Sequence, residues 1–197
     1  MTAPFDPYAI EARYTLDYLG FLACRERPSV VHVATGEVDV ALAVVRRLAP
    51  TGVELRVDTP EIADAVRRRL GVSVRPSGAS PADVALCPWL SGERLPNAPV
   101  VVGSVRNALS YKTLRSPGAV STIAPLVFRR LGQRYVVRAR AGFLPPTTVA
   151  LLGLASLLRR VHPSYGYVLG DLATTRFFTT GWSWVLSYVV LFTAHRR

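Results

Sequence analysis

Between residues 30 and 105, short β-branched runs alternate with helical patterns about a dozen residues long, and few folds are open to such a chain. Val30-Val31-His32-Val33-Ala34 is an apolar run of strand length, and Thr35-Gly36-Glu37 follows as a turn. Val38, Ala41, Leu42, Val45 and Leu48 then recur at helical spacing. Arg46 and Arg47 fall in the last turn, where cations suit the helix dipole. Pro50-Thr51-Gly52 ends that helix, and Val53 to Val57 alternates as a second strand. Asp58-Thr59-Pro60-Glu61 opens another helix, which runs to Leu70 and is stopped by Gly71. Further strands are predicted at Val72–Arg75, Asp83–Cys87 and Val100–Val105. Strands joined in this way form right-handed βαβ units in a parallel sheet. Ligands of such sheets sit beyond the carboxyl ends of the strands, where strand order reverses. The positions of interest are therefore Ala34–Val38, Asp58, Cys87–Leu90 and Ser104–Asn107.

The segments VVHVATGEVDVAL, LRVDTPEIADAVRRRL, ADVALCPWL and APVVVGSVRNALS, taken in order, resemble a class I S-adenosylmethionine-dependent methyltransferase. The resemblance spans residues 29–110 and extends more weakly to RYVVRARAGF and WVLSYVVLFTAHR, and the opening FDPYAIEARY is also similar. It implies an α/β, Rossmann-like methyltransferase fold of three layers, whose seven-stranded, mostly parallel sheet ends in an antiparallel C-terminal strand. Residues 1–197 then form one domain, with an N-terminal helical segment (1–28), a Rossmann-like core (29–110) and a C-terminal part (111–197) that completes the sheet.

In that family the first turn is glycine-rich, because backbone approaches the cofactor where a Cβ would occupy its space. Ala34, Gly36 and Val38 fall on those positions, so the motif is degenerate, and His32 stands where an acidic residue is usual. Side chains at Ala34 and Val38 are expected to fill space that a nucleoside needs. Asp58 lies where the family places a carboxylate for the cofactor's ribose hydroxyls. The resemblance thus implies cofactor contacts at Thr35, Gly36, Asp58 and Cys87, with S-adenosylmethionine as cofactor and no assignable catalytic residue. From the residues alone, Asp58 also reads as the N-cap of the following helix. Only Ser91 to Pro99 separates the fourth and fifth strands, too little for an ordinary crossover helix. A bare loop or a different strand arrangement follows, with one sheet face less covered.

Other candidate chemistry is sparse. Trp89 could wall an adenine pocket or simply pack, and Asn107-Ala108-Leu109-Ser110 reads as a turn rather than a ligand loop. Cys87, alone on an apolar strand, reads as a small hydrophobe. His162 and Tyr165 have no partner at useful spacing, and three histidines with two cysteines give no metal site or disulfide framework. Phosphate-loop, nucleophile-elbow and dinucleotide fingerprints are absent, as is any recognised nucleic-acid-binding signature.

Charge divides the chain. Residues 1–93 carry ten arginines and twelve acids; residues 94–197 carry thirteen arginines, Lys112 and a single acid, Asp171. A second half this basic suits an anionic partner, or is merely a solvated surface. It also holds two uncharged runs, residues 141–158 and 177–194, of membrane-span length. Arginines flank both ends and Trp184 to Ala194 reads as a buried last strand, so soluble core is favoured over a span. Without a secretory leader pattern, the expectation is a cytoplasmic chain, or one peripheral at a membrane. The functional expectation is a methyltransferase-like pseudoenzyme, a non-catalytic binding or assembly subunit docking through its basic, apolar C-terminal half. Its partner would be another protein, a second copy or an anionic membrane surface; nucleic acid stays open without a motif. The alternative is an active, divergent methyltransferase acting on a lipid or other hydrophobic acceptor.

Overall fold

The computed structural model describes residues 7–78, 80–90, 96–110, 122–143, 150, 153–155, 157–158, 160, 178–179 and 185–197. Among the described residues, helices α1 (Pro7–Arg25), α2 (Val38–Leu48), α3 (Pro60–Leu70) and α4 (Ala124–Leu131) accompany one sheet. Its strands are β1 (Val30–Val33), β2 (Glu54–Val57), β3 (Arg75–Pro76), β4 (Val84–Cys87), β5 (Val100–Arg106), β6 (Tyr135–Phe143), β7 (Phe178–Thr179) and β8 (Val189–Arg196). Their order is β3-β2-β1-β4-β5-β8-β6-β7. β1 through β5 pair in parallel, and β8 inserts antiparallel between β5 and β6. Seven strands thus follow the expected architecture, and β7 adds a two-residue edge.

Local sequence explains the borders. Asp83 Oδ2 accepts from the backbone N–H groups of Ser29 and Val30 at 2.8 and 2.9 Å, fixing the start of β1 beside β4. Gly71 ends α3 at φ +66°, a left-handed cap that glycine adopts without Cβ strain. The third strand was expected at Val72–Arg75 but pairs only at Arg75–Pro76. Val74 is buried and Val72 packs against the core, so their alternation reports packing rather than pairing. β4 and β5 are parallel neighbours despite the short connection, which excludes the rearranged-strand alternative.

Two apolar clusters flank the sheet. Val31, Val33, Leu55 and Val57 meet α1, α2 and α3 on one face. On the other, Val101, Val105, Val190 and Phe192 meet Val127, Phe128 and Leu131 of α4. β4 is buried on both faces, whereas burial alternates along β1 and β2. His32, Glu54 and Arg56 occupy their second face, with Arg56 Nε donating to Glu54 at 2.9 Å. Parts of the uncharged runs are placed as well. Residues 189–194 are wholly buried in β8, and among the described residues no helix is long and apolar enough to cross a membrane. The other positions of those runs include undescribed residues, and His162 and Tyr165 also lie outside the described set.

Candidate functional site

The chain runs outward from β1 to β2 and β3, then returns to β4 on the other side of β1. A cleft of about 1020 Å³ opens beyond the carboxyl ends at this reversal. Ala34, Thr35, Gly36 and Glu37 follow β1 into it, Asp58 and Thr59 follow β2, Ser77 follows β3, and Cys87 through Leu90 end β4. All four residues singled out for cofactor contact, Thr35, Gly36, Asp58 and Cys87, line this one space.

The first turn is held from two sides. Ala34 N–H donates to Leu86 O at 2.8 Å, and Glu37 N–H donates to the Thr35 hydroxyl at 3.2 Å. α2 begins at the cleft with no side-chain cap on its first turn. A Cβ added at Gly36 would meet nothing within 4 Å, so the space above this residue is open. Val38 does not line the cleft; its side chain packs against the core beneath α2. The expectation that Val38 blocks a nucleoside is therefore corrected: the first residue of the helix points its branched side chain inward. Ala34 lines the wall and adds one methyl group there.

Asp58 is not the helix cap. Thr59 takes that position, its hydroxyl accepting from Ile62 N–H at 3.3 Å. The Thr59 side chain and a backbone hydrogen bond also hold the exposed Glu61 carboxyl below its ordinary range. Relieved of capping, Asp58 Oδ1 accepts from His32 Nε2 at 2.8 Å. Among the described residues no other hydrogen bond engages this carboxylate, so Oδ2 is available to a ligand. Sequence reasoning missed His32 as a site residue. Its period-two position on β1 was a usable signal, because it places the ring on the face opposite Val31 and Val33.

Cys87 is buried, and its thiol is pushed up to about 12, first by burial and then by the Asp58 charge. It stays a neutral thiol near neutral pH and forms wall rather than nucleophile. Trp89 closes the same side with φ +58°, a left-handed conformation strained for an aromatic residue. Its N–H donates to Ser104 Oγ at 3.1 Å, Leu90 N–H donates to Ser104 O at 2.8 Å, and the Arg106 guanidinium lies 4.2 Å from the ring centroid. Replacing Trp89 by glycine should leave the protein about 1 kcal/mol more stable than replacing it by alanine, because alanine keeps the left-handed strain. Urea denaturation of the two variants measures this; an alanine variant equal to or better than the glycine variant would show that the backbone is unstrained there.

Asn107 is fully buried and does not line this cleft, in agreement with a turn rather than a ligand loop. Its amide group donates to Val185 O and Ser187 O and accepts from Leu109 N–H and Ala124 N–H.

No family model matches the chain, and no curated protein matches it. Among solved structures, the [4+2]-cyclase SpnF superimposes with a TM-score of 0.51 at 13% identity, over 91% of this chain and 81% of that one. The likeness is one of fold. A geranyl diphosphate C-methyltransferase from Streptomyces coelicolor A3(2), solved with Mg2+, geranyl-S-thiolodiphosphate and S-adenosyl-L-homocysteine, gives 0.49 at 12% identity, over 96% and 76%. Thermoplasma acidophilum 1320 gives 0.48 at 13% identity, over 98% and 88%. The strand order, with its antiparallel β8, makes this the Rossmann-like methyltransferase fold.

Three features bear on what the cleft can hold. Its volume is at the upper end of the ~300–1,000 Å³ typical of small-molecule sites. The space over Gly36 is open. Asp58 Oδ2 has no hydrogen-bond partner among the described residues. Among the described residues no group of three or more His, Cys, Asp or Glu side chains is arranged to hold a metal ion.

Proposed function

We propose that this chain binds the nucleoside of S-adenosylmethionine in the cleft at the β1–β4 reversal and acts as a methyltransferase-like protein. The single observation that supports this most is Asp58, freed from capping by Thr59, oriented by His32, and set beside the open turn at Gly36. Asp58 would receive the ribose hydroxyls, the turn from Ala34 to Glu37 would carry the nucleoside, and Pro88, Trp89 and Leu90 would shield it from water. When bound, the cofactor supplies an electrophilic methyl group, and the chain's part is to hold it in line with an acceptor. The apolar wall at Pro88–Leu90 suits a hydrophobic acceptor.

Calorimetry with S-adenosylhomocysteine tests this reading. Asp58→Ala should weaken binding roughly ten- to hundredfold, the value of one or two charge-assisted hydrogen bonds. Equal affinity in wild type and Asp58→Ala, with both folded, would remove Asp58 from the site.

A second reading keeps the fold but makes the chain a non-catalytic docking subunit. One observation favours it. Among the described residues seven large apolar side chains are exposed, and all but Phe21 (Leu109, Leu126, Val136, Leu154, Leu157 and Leu186) lie in the basic half. Apolar side chains left in water amid arginines suit contact with a protein or membrane partner. Methyl transfer by the isolated chain to a hydrophobic acceptor separates the readings: turnover supports the first, and nucleoside binding without turnover supports the second.

A further inference from the structure

A second, smaller cavity of about 240 Å³ lies where β8 ends, β6 begins and the chain approaches β5. Pro96, Asn97, Arg134, Tyr135, Arg196 and Arg197 line it. Three arginines therefore line one small volume, and among the described residues no Asp or Glu lines it. Among the described residues none of the three arginines has an ion-pair partner.

The place is assembled by long-range contacts. Arg197 N–H donates to Arg134 O at 3.1 Å, tying the end of β8 to the start of β6. Arg196 N–H donates to Pro99 O at 2.7 Å, and its guanidinium donates to Asn97 Oδ1 at 3.0 Å. The Tyr135 hydroxyl donates to Pro96 O at 2.7 Å and Ala98 O at 3.1 Å, pinning the approach to β5. These bonds settle what each group still offers. The Tyr135 proton is committed, so its ring is wall. Asn97 Oδ1 is committed, which leaves its NH2 group as a donor. The side-chain groups left uncommitted are thus guanidinium and amide N–H donors, with no side-chain carboxylate beside them among the described residues.

We infer that this cavity is a binding site for a phosphate group, held by the guanidinium forks of Arg134, Arg196 and Arg197 with the Asn97 amide. Three like charges around one cavity repel, and an occupant of opposite charge removes that cost. Guanidinium forks match the oxygens of phosphate in pairs, which a lone lysine cannot do. The site does not depend on the nucleoside reading, since Pro96 is the one residue that borders both cavities. The phosphate could belong to a soluble molecule or to a lipid headgroup.

Calorimetry on the full chain with inorganic pyrophosphate tests the site, and flotation with phosphatidylcholine vesicles containing phosphatidic acid distinguishes the two sources. Arg134→Gln, Arg196→Gln and Arg197→Gln should each weaken pyrophosphate binding about tenfold, the loss of a bidentate charged contact. Arg68→Gln, on the exposed face of α3, and Asp58→Ala should leave it unchanged. Vesicle binding that is lost with the same three variants assigns a lipid headgroup. Pyrophosphate binding without flotation assigns a soluble phosphate. No pyrophosphate binding by wild type, or an equal loss in Arg68→Gln, would overturn the site. Arg197 is exposed, so the result of Arg197→Gln stands even if the other substitutions impair folding.

Discussion

Asn107→Leu should destabilise the protein by about 3–5 kcal/mol, among the largest costs a single substitution brings. The side chain is fully buried and its amide is satisfied at both ends. Its two donated bonds reach the carbonyls of Val185 and Ser187, just before β8, and its two accepted bonds come from the turn at Leu109 and the start of α4 at Ala124. The Asn107 backbone N–H adds a bond to Tyr188 O at 2.8 Å. One side chain thus joins the end of β5, the entry to β8 and the head of α4. Leucine has similar bulk but removes the partner of two carbonyls and two N–H groups, the bonds to Ser187 O and from Ala124 N–H being buried and the other two part-buried, and each loss costs about 1–3 kcal/mol where solvent does not reach the group. Asn107→Asp should be no better, since it keeps the acceptors but loses the donors and buries a charge. Urea unfolding gives the number, and a loss below about 1 kcal/mol would mean that water or neighbours satisfy these groups in its place.

Gly103→Val should be comparably damaging, and for a steric reason. A Cβ at Gly103 would stand 2.6 Å from Phe192 Cζ, 2.9 Å from Cε1 and 3.0 Å from the Cys87 carbonyl oxygen. Gly103 and Phe192 are direct partners across β5 and β8, and the ring lies over the space a side chain would use. The ring cannot retreat freely, because it is fully buried and packs edge-on against Phe128 at 5.3 Å and 84°. Gly103→Ala should cost about 1–3 kcal/mol as overpacking, and Gly103→Val more. A double-mutant cycle separates ring from backbone. Phe192→Ala alone should cost about 3–5 kcal/mol, and Gly103→Ala in that background should cost about 1 kcal/mol less than in wild type. Additive costs would place the clash with the Cys87 carbonyl instead.

Much of this fold was legible because local signals and tertiary demands agree. Val38–Leu48 and Pro60–Leu70 show helical periodicity, clear terminators and a proline or acid in the first turn, and both form as read. β4 and β5 were visible as apolar runs because both of their faces are buried. β3 was misplaced because burial of Val74 does not require its backbone to pair. At the site, sequence located the strand ends and hence Thr35, Gly36, Asp58 and Cys87. It offered Asp58 as the cap, but the structure gives that place to Thr59, the next residue and also a good N-cap type. Sequence could not pair His32 with Asp58, or gather Arg134 with Arg196 and Arg197, because those contacts exist only after strands distant in sequence are laid side by side. The inward turn of Val38 is of the same kind: a motif comparison sees a β-branched residue in a glycine's place, and only the packing tells which way it faces.

The most direct measurement is a crystal structure of the chain soaked with S-adenosylhomocysteine. The nucleoside is predicted to lie over Gly36, with its ribose hydroxyls at hydrogen-bonding distance from Asp58 while His32 keeps its own bond to that carboxylate. A well-ordered cleft with no nucleoside density in it, in crystals held at saturating ligand, would contradict the assignment.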